Sequence, residues 1–173
     1  MRLFCGLRLP DEVRNQLVRW QRDSLAPDGG RLVPPDHLHV TLAFLGDRPA
    51  DEVGAIARAL RAAAAAARGL ELGAARYRET RNVGMLVLDD LEGRAGLLAA
   101  DLQARLEQLG VYEPERRLWL PHVTVLRFRR PPALRPPLPG LGRFGPSDAA
   151  LYHSVLRSGG AQYEVLESVA LGG

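Results

Sequence analysis

Histidine and threonine are scarce in this 173-residue chain: His37, His39, His122 and His153, with Thr41, Thr80 and Thr124. Two of the histidines carry a threonine two places on, in His39-Val40-Thr41-Leu42 and His122-Val123-Thr124-Val125. A given His has a chance of about 2% of meeting a Thr at that offset, so two matches among four His would arise about twice in a thousand shuffles. Along a strand, residues i and i+2 point to one face. Each motif therefore presents an imidazole beside a hydroxyl, while Val40 and Val123 turn to the opposite, packed face. Two imidazoles converging on one cleft can divide the roles of neutral base and protonated acid near neutral pH. Hydroxyls beside them can donate hydrogen bonds to a phosphoryl oxygen. The set suits in-line displacement at phosphorus and requires no metal, no cofactor and no covalent intermediate. A single such His in a strand is more often a hydrogen-bonded core residue; two matched copies on matched elements reverse those odds.

The elements that must position these residues can be read from periodicity. Residues 2–9 alternate as a strand, and Pro10-Asp11-Glu12 opens a helix whose Val13, Leu17 and Trp20 recur at helical spacing. Asp28-Gly29-Gly30 reads as a turn, and residues 38–45 as a buried strand stopping at Gly46-Asp47. A second helix is expected over 50–68 with Gly69 as its C-cap. The second half repeats the plan: strands at 70–78 and 83–88, a helix over 92–109 ending at Gly110, and a strand over 118–128. Residues 131–146, rich in Pro and Gly, read as a surface loop, and strands at 149–157 and 162–171 close the chain. Strand–helix–strand thus occurs twice, each time ending in a His-Val-Thr strand. The expected fold is α+β with two similar lobes, since no Gly-rich nucleotide loop follows the first strand.

Composition narrows the classes. All 23 basic residues are Arg, which excludes a Walker-type phosphate loop, a Schiff-base lysine and a lysyl-nucleotide intermediate. Cys5 is the only cysteine, so neither an intrachain disulfide nor a thiolate metal cluster is expected. No apolar run approaches the roughly 20 residues of a membrane span, and the start is no signal peptide, so a cytoplasmic protein without membrane association is expected. The net charge of +3 conceals a local bias. From Arg116 through Ser147 there is no acid, while Arg116, Arg117, Arg127, Arg129, Arg130, Arg135 and Arg143 supply seven positive charges. Arg129, Arg130 and Arg135 read equally well as a solvated loop face, as charge runs usually are. His37 with His39 could form a metal pair, but no carboxylate or Cys follows at ligand spacing. His37 is placed at the strand entrance and His153 in a structural or cleft-rim position. Trp119 and Tyr152 are candidates to stack a base, with core packing as the commoner role of strand aromatics.

Whole-chain motifs resemble the 2H phosphoesterase superfamily, and within it the RNA 2′,3′-cyclic phosphodiesterases also called 2′-5′ RNA ligases. The resemblance rests on the opening RLFCGLRLPDEVR, the motif strands LHVTLAFLGD and LPHVTVLRF, and the ending LYHSVLRSGGAQYEVLESVAL. It implies a single domain over 1–173, with two pseudo-symmetric lobes of antiparallel sheet, helices outside and the active-site cleft between. It further implies hydrolysis of a 2′,3′-cyclic phosphate on RNA ends or nucleotides to a 2′-phosphomonoester, with ATP-independent 2′-5′ ligation in reverse. Carried over by position, His39 is the proton donor and His122 the acceptor that activates water. Thr41 and Thr124 bind the phosphate, as does Arg127, five places after the second His. Strand parity puts Arg127 on the face opposite His122 unless a bulge or twist intervenes near Leu126. Relatives often carry an aromatic or aliphatic residue where Cys5 stands, so a stacking ring at that position would be missing here.

Two further expectations follow. The arginines around His122 favour its neutral form, while Asp36 and Asp47 near His39 favour the protonated acid, so His122 is expected to titrate below His39. The chain is expected to act as a monomer. Two other readings stand beside the leading one: a non-catalytic RNA- or nucleotide-binding module using the same cleft, and a phosphodiesterase for a small cyclic phosphate such as ADP-ribose cyclic phosphate.

Overall fold

A computed structural model describes residues 1–26 and 30–172. Eleven regular elements follow in order: β1 (Arg2–Arg8), α1 (Asp11–Ser24), β2 (Gly30–Leu32), β3 (His39–Asp47), α2 (Val53–Ala66), β4 (Glu71–Glu79), β5 (Val83–Leu91), α3 (Arg94–Gln108), β6 (His122–Phe128), β7 (Asp148–Arg157) and β8 (Gly160–Val169). The strand pairs are antiparallel and run in the order β4-β5-β6-β3-β1-β7-β8, with β2 also on β6. The α+β expectation holds, in a form the periodicity did not specify. The two sheet halves, β4-β5-β6 with β2 and β3-β1-β7-β8, meet at one registered pair, Val40 with Val123. The residues between the two His-x-Thr positions thus form the seam of the molecule.

Both seam valines are fully buried, and the helices supply the apolar face against that side of the sheet. Val13, Leu17 and Trp20 form the inward stripe of α1, Ile56, Leu60, Ala63 and Ala64 that of α2, and Leu98, Leu102 and Leu106 that of α3. Burying one such leucine contributes about 2 kcal/mol, so these stripes hold the helices in place more firmly than helix propensity does. Asp90 accepts from the backbone N–H of Ala95 and Gly96 at 3.0 and 2.7 Å, satisfying two orphan donors at the start of α3. At its other end Gly110 takes a positive φ of 72°, and Val111 donates to Leu106, closing the helix.

Several boundaries differ from the periodic reading. The second helix ends at Ala66, because Ala67 is already extended; Gly69, with φ 53°, lies beyond the cap. The strand expected over 118–128 starts at His122, after Pro121, which has no N–H to offer a ladder, and Leu118 is 93% exposed. Positions 28 and 29 of the expected turn lie outside the described residues, and Gly30 opens β2, a strand too short to announce itself. The Pro/Gly-rich stretch is a loop held to the sheet and helices at several points, among them a two-bond bridge between Phe144 and Leu72 of β4. Trp20 donates to the Pro137 carbonyl at 2.7 Å, and the Glu79 carboxylate accepts from the N–H groups of Ala133 and Leu134 at 2.7 and 2.9 Å. No helix among the described residues is long and apolar enough to cross a membrane.

Candidate active site

The motif histidines open β3 and β6, and each follows an irregular, proline-containing segment. Each Nδ1–H donates to the carbonyl two residues back: His39 to His37 at 2.8 Å and His122 to Leu120 at 2.8 Å. A carbonyl only accepts, so both rings carry the proton on Nδ1 when neutral, which leaves Nε2 available as a lone pair. His39 Nε2 lies 2.9 Å from the Thr41 hydroxyl, which donates to it. His39, Thr41, His122, Thr124 and Arg127 line a single cavity of about 430 Å³. All five candidates from the sequence are therefore brought together.

Arg127 joins them through the irregularity that parity demanded. On β5, Gly84 pairs with Leu126 and the next residue, Met85, with Thr124, so Val125 is an extra residue in β6. Val125 and Leu126 are consecutively buried, the alternation slips by one, and Arg127 emerges on the face of His122 and Thr124. β3 does the same thing at the same offset. Cys5 pairs with Ala43 and Gly6 with Thr41, so Leu42 is the extra residue. Leu42 and Ala43 are both buried, and Phe44 emerges beside Thr41, 47% exposed, lining the cavity. Phe44 is thus the counterpart of Arg127, each five residues after its histidine. Within the apolar run LHVTLAFL it reads as core, and only the matched offset marks it.

The aromatic candidates fall elsewhere. Cys5 is fully buried on the helix side, so an aromatic at that position would not face the cleft, and its replacement removes no stacking surface. Burial pushes the Cys5 thiol up to about 12. Phe4, 4% exposed, packs 5.0 Å from the His39 ring and stacks on Tyr152 at 4.7 Å; these two rings build the wall behind the histidine. Trp119 spends its indole N–H on the Thr41 carbonyl at 3.0 Å and lines a second cavity of about 570 Å³. That cavity shares Thr41, Phe44 and His122 with the first and adds Arg78 and Arg117. His37 stacks on Tyr163 at 4.1 Å at the cleft, and His153 lies 3.4 Å from the Glu164 carboxylate. Arg129, Arg130 and Arg135 are exposed and line neither cavity, as a solvated face would be.

Space beside His39 is guarded by Gly6 on β1. A Cβ there would lie 3.0 Å from the Val40 carbonyl oxygen and 3.2 Å from His39 Cδ2, so only glycine lets the strand approach this closely. The enclosure overturns the expectation that nearby acids keep His39 protonated. Burial pushes its pKa down to about 4, against a smaller upward pull from the hydrogen bond to the His37 carbonyl, and Arg127 adds a lesser downward push. Asp36 lies three residues before His39, yet its charge acts on His37, whose pKa is lowered chiefly by burial. Asp47 is exposed at the far end of β3.

Comparison with known proteins places the chain among known families. Residues 7–79 match the family described as LigT like Phosphoesterase. An RNA 2′,3′-cyclic phosphodiesterase of Thermus thermophilus is 35% identical over all of this chain and 91% of its own length. One from Escherichia coli is 31% identical over 98% of this chain and 96% of its own. The chain belongs to the LigT-like phosphoesterases. The fold agrees throughout: a crystal structure of E. coli LigT complexed with 3′-AMP superposes with a TM-score of 0.83. It is 28% identical and matches over 99% of this chain and 98% of that one. In this LigT-like chain both motif strands, their bulges and the shared cavity come from one polypeptide.

Proposed function

We propose that this LigT-like phosphoesterase hydrolyses 2′,3′-cyclic phosphates at RNA ends and on nucleotides to 2′-phosphomonoesters, by acid–base catalysis between His39 and His122. The relatives bearing the name RNA 2′,3′-cyclic phosphodiesterase support the substrate class. The observation that carries the mechanism is the cavity on which both imidazoles, both hydroxyls and one guanidinium open. The proposal takes residues 1–173 as one functional unit, working as a monomer in the cytoplasm, since one chain supplies both motifs.

The cyclic phosphate carries one negative charge, which Arg127 and the hydroxyls of Thr41 and Thr124 meet. His122 Nε2 takes a proton from water as the water oxygen bonds to phosphorus. The bond from phosphorus to the ribose 3′-oxygen breaks on the opposite side, and His39 Nε2–H gives that oxygen its proton. The phosphate stays on the 2′-oxygen, His39 is left neutral and His122 protonated, and exchange with solvent resets both. His39 must therefore gain a proton when substrate binds. An anion set against its Nε2 favours the charged ring and opposes the downward push of burial. Arg127 answers the charge that grows on the phosphoryl oxygens in the transition state. The Phe44 ring at the mouth offers a face to the terminal base, and the second cavity gives room for the rest of the nucleotide. A 5′-hydroxyl in place of water would yield a 2′-5′ linkage by the same steps.

The test is to incubate the protein with adenosine 2′,3′-cyclic phosphate and EDTA and identify the product by phosphorus NMR. Adenosine 2′-monophosphate is expected. A 3′-monophosphate would contradict the assignment of the 3′-oxygen as the leaving group that His39 protonates. Binding without turnover would favour a recognition module, and turnover confined to ADP-ribose cyclic phosphate a small-molecule enzyme.

A further inference from the structure

At each bulge the carbonyl of the extra residue accepts a side-chain hydrogen bond. In both strands a glutamine on a helix supplies it. Gln21 of α1 donates through Nε2 to the Val125 carbonyl at 2.8 Å and to the Val33 carbonyl at 3.0 Å. The Val125 oxygen also accepts from the Val33 N–H at 3.1 Å. Gln103 of α3 donates through Nε2 to the Leu42 carbonyl at 2.8 Å. Val125 and Leu42 are the matched extra residues, each three places after its histidine. Gln21 is 2% exposed, the one polar side chain in the buried set of described residues.

The pairing is crosswise. The helix α1 follows β1 in the half that contains β3, yet its glutamine braces β6. The helix α3 follows β5 in the half that contains β6, yet its glutamine braces β3. One halves-related pair of contacts therefore recurs at the two strands whose slip in alternation exposes Arg127 and Phe44. Core packing alone does not account for it. A methionine would fill the same volume at either position without making these bonds.

We propose that Gln21 and Gln103 are matched positioning residues, Gln21 setting Arg127 against the phosphate and Gln103 setting Phe44 against the base. Gln21 lines neither cavity, and Gln103, at the wall of the second, acts through the Leu42 carbonyl, so that a direct contact with the nucleotide would survive loss of Phe44 and this action does not. Each fixes a bulge without which its strand would return to regular alternation and turn the functional side chain away. The kinetic consequence rests on the phosphodiesterase reading, whereas the structural one does not.

The experiment is a set of double-mutant cycles read by kcat and KM on adenosine 2′,3′-cyclic phosphate and by affinity for inorganic phosphate and adenosine 2′-monophosphate. Misplacing a reacting-site group by ~1 Å costs on the order of 10²-fold in rate, so Gln21→Met is expected to lower kcat at least tenfold and to weaken phosphate binding. Both losses disappear in an Arg127→Ala background and persist in a Phe44→Ala background. Gln103→Met is expected to raise KM and weaken adenosine 2′-monophosphate while leaving inorganic phosphate affinity unchanged, and its effect disappears in the Phe44→Ala background. A Gln21→Met loss that is as large without Arg127 overturns the proposal, because a general loss of packing would behave that way. If Gln21→Met does not fold, the half-exposed Gln103 arm decides by the same criteria. A crystal structure of Gln103→Met with Leu42 still bulged and Phe44 unmoved overturns it with no ligand involved. Failure of the unsubstituted protein to turn over cyclic phosphate would remove the reaction while leaving these binding and structural outcomes to decide the role of the glutamines.

Discussion

His39→Asn separates burial from neighbouring charge as the force that sets the resting state of the acid. The asparagine amide can still donate to the His37 carbonyl, and the titrating ring is gone. An ordinary histidine titrates at about 6.5 in the unfolded chain, and His39 is pushed down to about 4 in the folded one. The folded state therefore binds fewer protons between those values, and its stability rises with pH across that window. The contribution is fully present above pH 6.5 and is lost as pH falls toward 4. The linkage relation puts the loss at about 2 kcal/mol by pH 5 and about 3 kcal/mol by pH 4. Urea unfolding of the native protein and of His39→Asn at several pH values between 4 and 8 measures it, because carboxylates common to both cancel in the difference. Native minus variant stability should decline by about that amount on acidification. If Asp36 and Asp47 instead held the ring protonated, the difference would grow on acidification, and that sign would refute the burial argument.

Other perturbations have defined outcomes. Arg127→Ala should lower kcat/KM for cyclic phosphates by on the order of 10²- to 10³-fold, and Arg127→Lys should restore little, since a point charge does not reproduce a fork of donors. Phe44→Ala should raise KM for nucleoside cyclic phosphates by roughly tenfold, the scale of one base–aromatic stack, and leave inorganic phosphate binding unchanged in calorimetry. Gly6→Ala must push either the Val40 carbonyl or the His39 ring; thermal unfolding should report a loss of about 1–3 kcal/mol together with reduced kcat.

The parts of the site that sequence exposes are those governed by strand parity. His39 with Thr41, and His122 with Thr124, need only i and i+2 on one face, and the conflict over Arg127 correctly demanded a bulge near Leu126. Phe44 obeys the same offset, but an aromatic inside LHVTLAFL is indistinguishable from core until the slip at Leu42 is known. The protonation state of His39 is hidden from sequence for a different reason. Asp36 and Asp47 are close along the chain and do not set its charge, whereas Phe4 and Tyr152 enclose it from strands at distant positions. β2 escapes notice because three residues carry no periodicity. Gln21 and Gln103 escape because an amide on a helix face looks like any solvated polar residue until the carbonyl opposite it is seen.

The central claim is that two imidazoles on one cavity act as a unit on one phosphorus. The direct measurement is kcat for adenosine 2′,3′-cyclic phosphate in EDTA for His39→Ala, His122→Ala and the double variant, beside the affinity of each for adenosine 2′-monophosphate. Each single change should lower kcat by at least about 10²-fold with product still bound, and the double should be scarcely slower than the worse single. A single variant within tenfold of the native rate would contradict the account.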